Sequence, residues 1–129
     1  MRALTLIQPW LELIVSHGKR TENRTYGTPY RGLLALHASA RSDKPMIRAM
    51  QSEGWSFPAL PIGAVVAVAE LVDVHSADDS ACRCDAWAET GPRIHHWVLD
   101  VVQALPDPIR CPGARRLWTP PTHVLQELT

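Results

Sequence analysis

Short apolar runs, separated by breaks rich in glycine and proline, run the length of the chain, and their periods predict more strands than helices. Residues 3–7 (ALTLI) suit a short buried strand. Pro9 then fits the first turn of a helix over about 9–17, with Trp10, Leu13, Ile14 and His17 at helical spacing and Gly18 as its stop. Residues 19–25 read as extended, Gly27 to Pro29 as a turn, and 32–38 (GLLALHA) as a second strand. Ser42 or Asp43 caps a further helix, with Pro45 in its first turn and Gly54 at its end. Residues 63–75 (GAVVAVAELVDVH) are the clearest strand, β-branched and long enough to bend. The polar stretch 76–92 reads as a loop with a helical turn near Trp87, and 94–105 as another strand. Pro106, Pro108 and Pro112 are expected to break the next segment into an edge strand and a loop, before a last short helix from Thr119 or Pro120 to about 128. No strand–helix–strand alternation persists. The expected fold class is therefore α+β, a mixed or antiparallel barrel with two or three peripheral helices.

The length fits one domain, residues 1–129. Formal charge is zero, but it is unevenly placed: residues 1–64 carry four more cations than acids and residues 65–129 four more acids than cations. One positive face on a neutral molecule is compatible with that split. Three cysteines, Cys82, Cys84 and Cys111, are too few for a disulfide framework and fit a reducing compartment. C-R-C is tighter than the usual zinc knuckle, and the adjacent His95 and His96 would point opposite ways in a strand, so no metal site and no cofactor are expected. Gln8, Pro9 and Glu12 interrupt the apolar N-terminus, which excludes a signal-peptide reading. No run approaches the roughly 18 apolar residues of a membrane span. A cytoplasmic protein without membrane contact is the expectation.

The chemistry concentrates in residues 17–39, HGKRTENRTYGTPYRGLLALHAS. Lys19, Arg20, Glu22, Arg24, Arg31 and His37 crowd a segment that otherwise looks like two strands and a turn. Strands avoid charge unless exposed or lining a site. In an extended segment Arg20, Glu22 and Arg24 share one face and Lys19, Thr21 and Asn23 the other, with Lys19 close enough to Gly18 to swing either way. A carboxylate between two guanidinium groups fixes them in a fork able to grip phosphate or a base edge; on spacing alone a solvated edge strand fits as well. Glu70 stands in line with Val66, Val68, Val72 and Val74, which points it inward unless a bulge intervenes; the alternative is that it meets water where the barrel opens. Asp73 and His75, on the other face, are expected in solvent. His37 reads as a hydrogen-bonded strand histidine. Trp10, Trp97 and Trp118 read as core, whereas Trp55 and Trp87 lie in loops where a ring can stack on a base or plug a barrel end. Signatures of NTPases, dehydrogenases, serine hydrolases and zinc proteases are missing.

Taken in order, Q-P-W (8–10), G-K-x-x-E-x-R (18–24), T-P-Y-R-G (28–32), L-H-A-S (36–39), G-A-x-x-x-x-A-E-L-V-D (63–73), H-W-V-L (96–99) and G-x-x-x-L-W (113–118) resemble the ASCH family, named for activating signal cointegrator-1 homology. The family usually has glycine two residues before the lysine and often tryptophan where this chain has Tyr26. The resemblance implies a PUA-like barrel with a cleft beside it that reads RNA or modified bases. It carries the lysine and E-x-R roles to Lys19, Glu22 and Arg24. One branch of the family hydrolyses N4-acetylcytidine with a lysine, a threonine three residues later and a downstream glutamate; here Glu22 occupies the threonine position, Thr21 is next to it, and Glu70 is the candidate acid.

The expected function is binding of nucleic acid, above all RNA or another single strand, or of a modified nucleoside, by Lys19, Glu22, Arg24, Tyr26, Arg31 and His37, with Glu70 closing the pocket. The alternatives are a small hydrolase acting on an acylated nucleoside, or a ribonuclease, with Lys19, Glu70 and Thr21 as catalytic groups, and a module whose basic face meets an acidic protein.

Overall fold

A computed structural model describes residues 1–78 and 84–128. In chain order the elements are β1 (Arg2–Gln8), α1 (Trp10–Ser16), β2 (Thr21–Arg24), β3 (Gly32–Ser42), α2 (Lys44–Ser52), β4 (Ala64–Ser76), β5 (His95–Arg110), β6 (Leu117–Trp118) and α3 (Thr122–Leu128). The strands make one sheet in the order β2-β5-β4-β3-β1-β6. β1 and β3 run parallel, and the other neighbours are antiparallel. The sheet curls until its β2 edge comes against β1: Arg24 on β2 donates to the Thr5 carbonyl of β1 at 3.4 Å. The architecture is thus the α+β half-barrel of PUA-like type with three helices. Among the described residues, no helix is long and apolar enough to cross a membrane.

Burial of one strand face drives the curl. Ala67, Ala69 and Leu71 of β4 alternate inward and pack with Leu34 and Leu36 of β3 and Leu4 and Leu6 of β1. Trp97 of β5 is fully buried among them, and its Nε1 donates to the Tyr26 carbonyl at 2.9 Å. α1 buries Leu11, Leu13 and Ile14, and Leu11 and Ile14 join the same core. Asp43 caps α2 by accepting from the Met46 amide at 3.0 Å, with Pro45 in the first turn as expected.

Two expectations are corrected. Pro106 and Pro108 do not end the strand; β5 runs on to Arg110 and pairs with the start of β4. The register shift between Val65 and Ala67 absorbs the prolines, which cannot donate to a regular ladder but fit at a bulge. In β4, Val66 is buried in the core, but the line it starts turns outward through Val68, Glu70 and Val72. Val72 is 43% exposed and Glu70 is also exposed, while the buried set is the alanine- and leucine-containing line between them. Small residues suffice where neighbouring strands and Trp97 fill the space, so valine content did not mark the inner side.

Candidate nucleic-acid interface

The site starts with an ion triad on β2. Glu22 offers one carboxylate oxygen to Lys19 Nζ at 3.1 Å and the other to Arg24 Nη1 at 3.3 Å. Lys19 is 2% exposed and Glu22 9%. The lysine ammonium also donates to the Thr21 carbonyl, so two of its three donors are committed within the turn. Gly18, with φ of +74°, gives the left-handed turn that brings Lys19 back over β2 after α1. Arg24 is held from three sides, by Glu22, the Thr5 carbonyl and the Tyr26 hydroxyl at 3.2 Å. The triad is therefore rigid, with every charge facing an opposite one or a carbonyl dipole.

Beside it the half-barrel seam opens into a cleft of about 880 Å3. Its origin is a break in the β1–β3 register: Leu6 pairs with Ala38, but Gln8 pairs with Ser42, so β3 carries two extra residues. Those residues bulge outward, and Ser39 and Arg41 line the opening opposite the 47% exposed Ile7. The far wall is the 111–116 loop. Gly113 lies so close to the barrel that a Cβ there would stand 2.7 Å from both His37 Cε1 and Thr5 Oγ1. This close approach carries Arg115 and Arg116 to the cleft. Arg116 has φ of +57° and sets its guanidinium 4.4 Å from the centre of the Tyr26 ring. Arg24, Arg41, Arg115 and Arg116 thus line one cavity against the carboxylates of Glu22 and Asp43.

A second, smaller hollow of about 380 Å3 lies across the triad, lined by Lys19, Glu22, Asn23, Trp87 and Glu89. Trp10 and Glu22 border both hollows. Asn23 ties the smaller wall down, donating to the Trp87 carbonyl and accepting from the Glu89 amide, each at 2.9 Å. Trp87 leans edge-on to Trp55 at 6.2 Å.

Set against known proteins, residues 4–108 match the ASCH domain family model. The chain belongs to the ASCH domain family. It is also 32% identical over 79 residues to human activating signal cointegrator 1, an alignment covering 54% of this chain and 14% of that protein. It therefore spans a small part of that relative's length. ASCH domains are PUA-like and generally associated with RNA binding.

In this ASCH domain, Lys19, Glu22, Arg24 and Tyr26 come together as the sequence led us to expect, but by a different pairing. Glu22 sits between Lys19 and Arg24 and not between Arg20 and Arg24. Arg20 turns away to the carbonyls of Ile14 and Lys19, and its amide donates to Asp85 at 2.7 Å. Glu70 does not close the pocket; it is exposed and borders neither hollow. Arg31 does not extend the rim: it donates to the carbonyls of Thr28, Tyr30 and Val74, pinning the 28–31 turn to the end of β4. Thr21 is buried on the far side of β2 and borders neither hollow.

His37 is 1% exposed and does not reach the cleft. The Cys111 carbonyl can only accept, so His37 Nε2 carries the proton of that 2.8 Å bond. Thr5 Oγ1 accepts from Trp118 Nε1 at 3.0 Å and lies 3.2 Å from His37 Nδ1, to which its hydroxyl donates when the ring is neutral. Burial holds the pKa of His37 below the ordinary 6.5, which favours the neutral ring. Trp10, expected in the core, instead borders both hollows. Arg41, Arg115 and Arg116 escaped the sequence reading. The adjacent arginines between Gly113 and the Leu-Trp of β6 were the available signal, but they lie about ninety positions from the basic cluster they join.

Proposed function

We propose that this ASCH domain binds single-stranded RNA, with an unpaired or modified base held in the seam cleft. The observation that carries the reading is the convergence of four arginines, from β2, the β3 bulge and the 111–116 loop, on one open cavity. Arg41, Arg115 and Arg116 are exposed and stand outside the triad, and they take the phosphates. Trp10 and Tyr26 offer ring surface to a base. Glu22 and Arg24 are the polar floor of the cleft, and Lys19 holds Glu22 from behind, so the pair is stiff enough to read a base edge without rearranging.

The geometry does not favour turnover. Hydrolysis needs a nucleophile, a base and a polarising group aimed at one atom. Thr21 is buried, Glu70 is remote, and Lys19 is committed to Thr21 and Glu22. Incubation with N4-acetylcytidine or RNA should therefore leave both intact, and product formation that depends on Lys19 would replace the binding reading with an enzymatic one.

Binding is tested with labelled single-stranded RNA by fluorescence anisotropy over a salt series. Affinity should fall steeply with salt. Arg115→Ala with Arg116→Ala should weaken it and lower the salt slope by about 0.7 for each phosphate that is no longer neutralised. Arg110→Ala, outside the cleft, should change little. Equal affinity for the wild type and the cleft variant rejects the proposal.

A further inference from the structure

The ends of β4 and β5 and the loop between them bring together three side chains that the RNA reading does not use. His75 Nε2 and His96 Nδ1 stand 3.2 Å apart, and Cys84 Sγ lies 3.3 Å from the first and 3.6 Å from the second. His75 and His96 are cross-strand partners in the β4–β5 ladder, which explains why both reach one point. Adjacent His95 lies beside Gly27 instead. The sequence expectation overlooked the partner that the neighbouring strand supplies.

The outer nitrogens decide the inner ones. His75 Nδ1 faces the Asp73 carboxylate at 2.7 Å, and His96 Nε2 faces the Glu89 carbonyl at 2.6 Å. Neither oxygen can donate, so both outer nitrogens carry the proton. In neutral rings the inner nitrogens then present lone pairs to the same point. A carboxylate or carbonyl behind each histidine is the usual support of a metal-bound imidazole. Around a tetrahedral ion with bonds of about 2.0–2.1 Å to nitrogen and about 2.3 Å to sulfur, ligand atoms stand about 3.3–3.6 Å apart. The three separations match that triangle.

We propose that His75 Nε2, His96 Nδ1 and the reduced thiolate of Cys84 form a binding site for a zinc-class divalent cation. The donor set of two imidazoles and one thiolate favours such an ion over magnesium or calcium. Cys84 is disulfide-bonded in this structure, and a disulfide sulfur is no zinc ligand. Metal-bound and disulfide forms are therefore mutually exclusive. Because Glu89 and Trp87 line the smaller hollow and Asn23 bonds both, the ion would also fix that wall; this consequence, unlike the site itself, rests on the RNA reading.

The test uses untagged full-length protein, reduced with a non-chelating phosphine, loaded with zinc chloride, gel-filtered and assayed for metal. Reduced wild type should retain roughly one zinc per chain. Cys84→Ser and His75→Asn should lose it, Cys111→Ser should keep it, and protein oxidised to the disulfide should hold none. Cobalt loading of the wild type should give a thiolate-to-metal charge-transfer band, a readout that does not depend on any variant folding. Reduced wild type that retains no zinc overturns the proposal, as does a Cys84→Ser protein, folded by circular dichroism, that retains as much as wild type.

Discussion

Gly113 shows how one missing side chain positions two distant arginines. Its place against His37 and Thr5 leaves no room for a methyl group, and both neighbours are fixed by the Trp118–Thr5–His37–Cys111 hydrogen-bond chain. Gly113→Ala should therefore destabilise the protein by about 1–3 kcal/mol, as overpacking does. It should also weaken RNA binding at temperatures where the fold persists, because the 111–116 loop must lift; urea melts and anisotropy on the same variant check both. The sequence displayed Gly113 as part of a motif but not the reason for it, since the atoms it meets come from β1 and β3, more than seventy positions away.

At the scale of elements, β2 is four residues long and holds the triad on the sheet edge. Removing the carboxylate leaves the buried Lys19 without its counter-charge. Glu22→Ala should cost about 3–5 kcal/mol, the range for orphaning a buried ion, whereas Lys19→Met combined with Glu22→Leu should recover most of that loss. Chemical denaturation of the single and double variants gives the comparison, and equal losses in both would mean that an orphaned Lys19 charge is not what destabilises the single variant. The strands themselves were legible because their apolar alternation is local: β1, β3 and β4 fall where the pattern put them. Side-chain facing was less legible. Glu70 was placed inward because valines flank it, but register shifts and the curl of the sheet decide which face is buried, and neither is written in a single strand.

For the whole molecule, the buried neutral His37 links stability to pH. Its folded pKa lies below 6.5, so between the two values the unfolded chain binds the extra proton and the folded one does not. Stability should be fully present above about pH 6.5 and decline as pH falls through the folded pKa; thermal melts from pH 8 to 5 should show this. His37→Gln should flatten that part of the profile, and an unchanged slope would assign the effect to another group. The family resemblance gave the half-barrel and the Lys19, Glu22 and Arg24 positions, and the seam cleft needed coordinates because its walls come from three separate stretches of chain. The same topology orders events during synthesis. Residues 21–24 emerge early, yet among the described residues their ladder partner is β5, and the Trp97 that bonds back to the Tyr26 carbonyl is made 71 residues later. A nascent chain halted before β5 carries the lysine, the glutamate and the arginine but no edge on which to hang them, so the receptacle is a late product of translation.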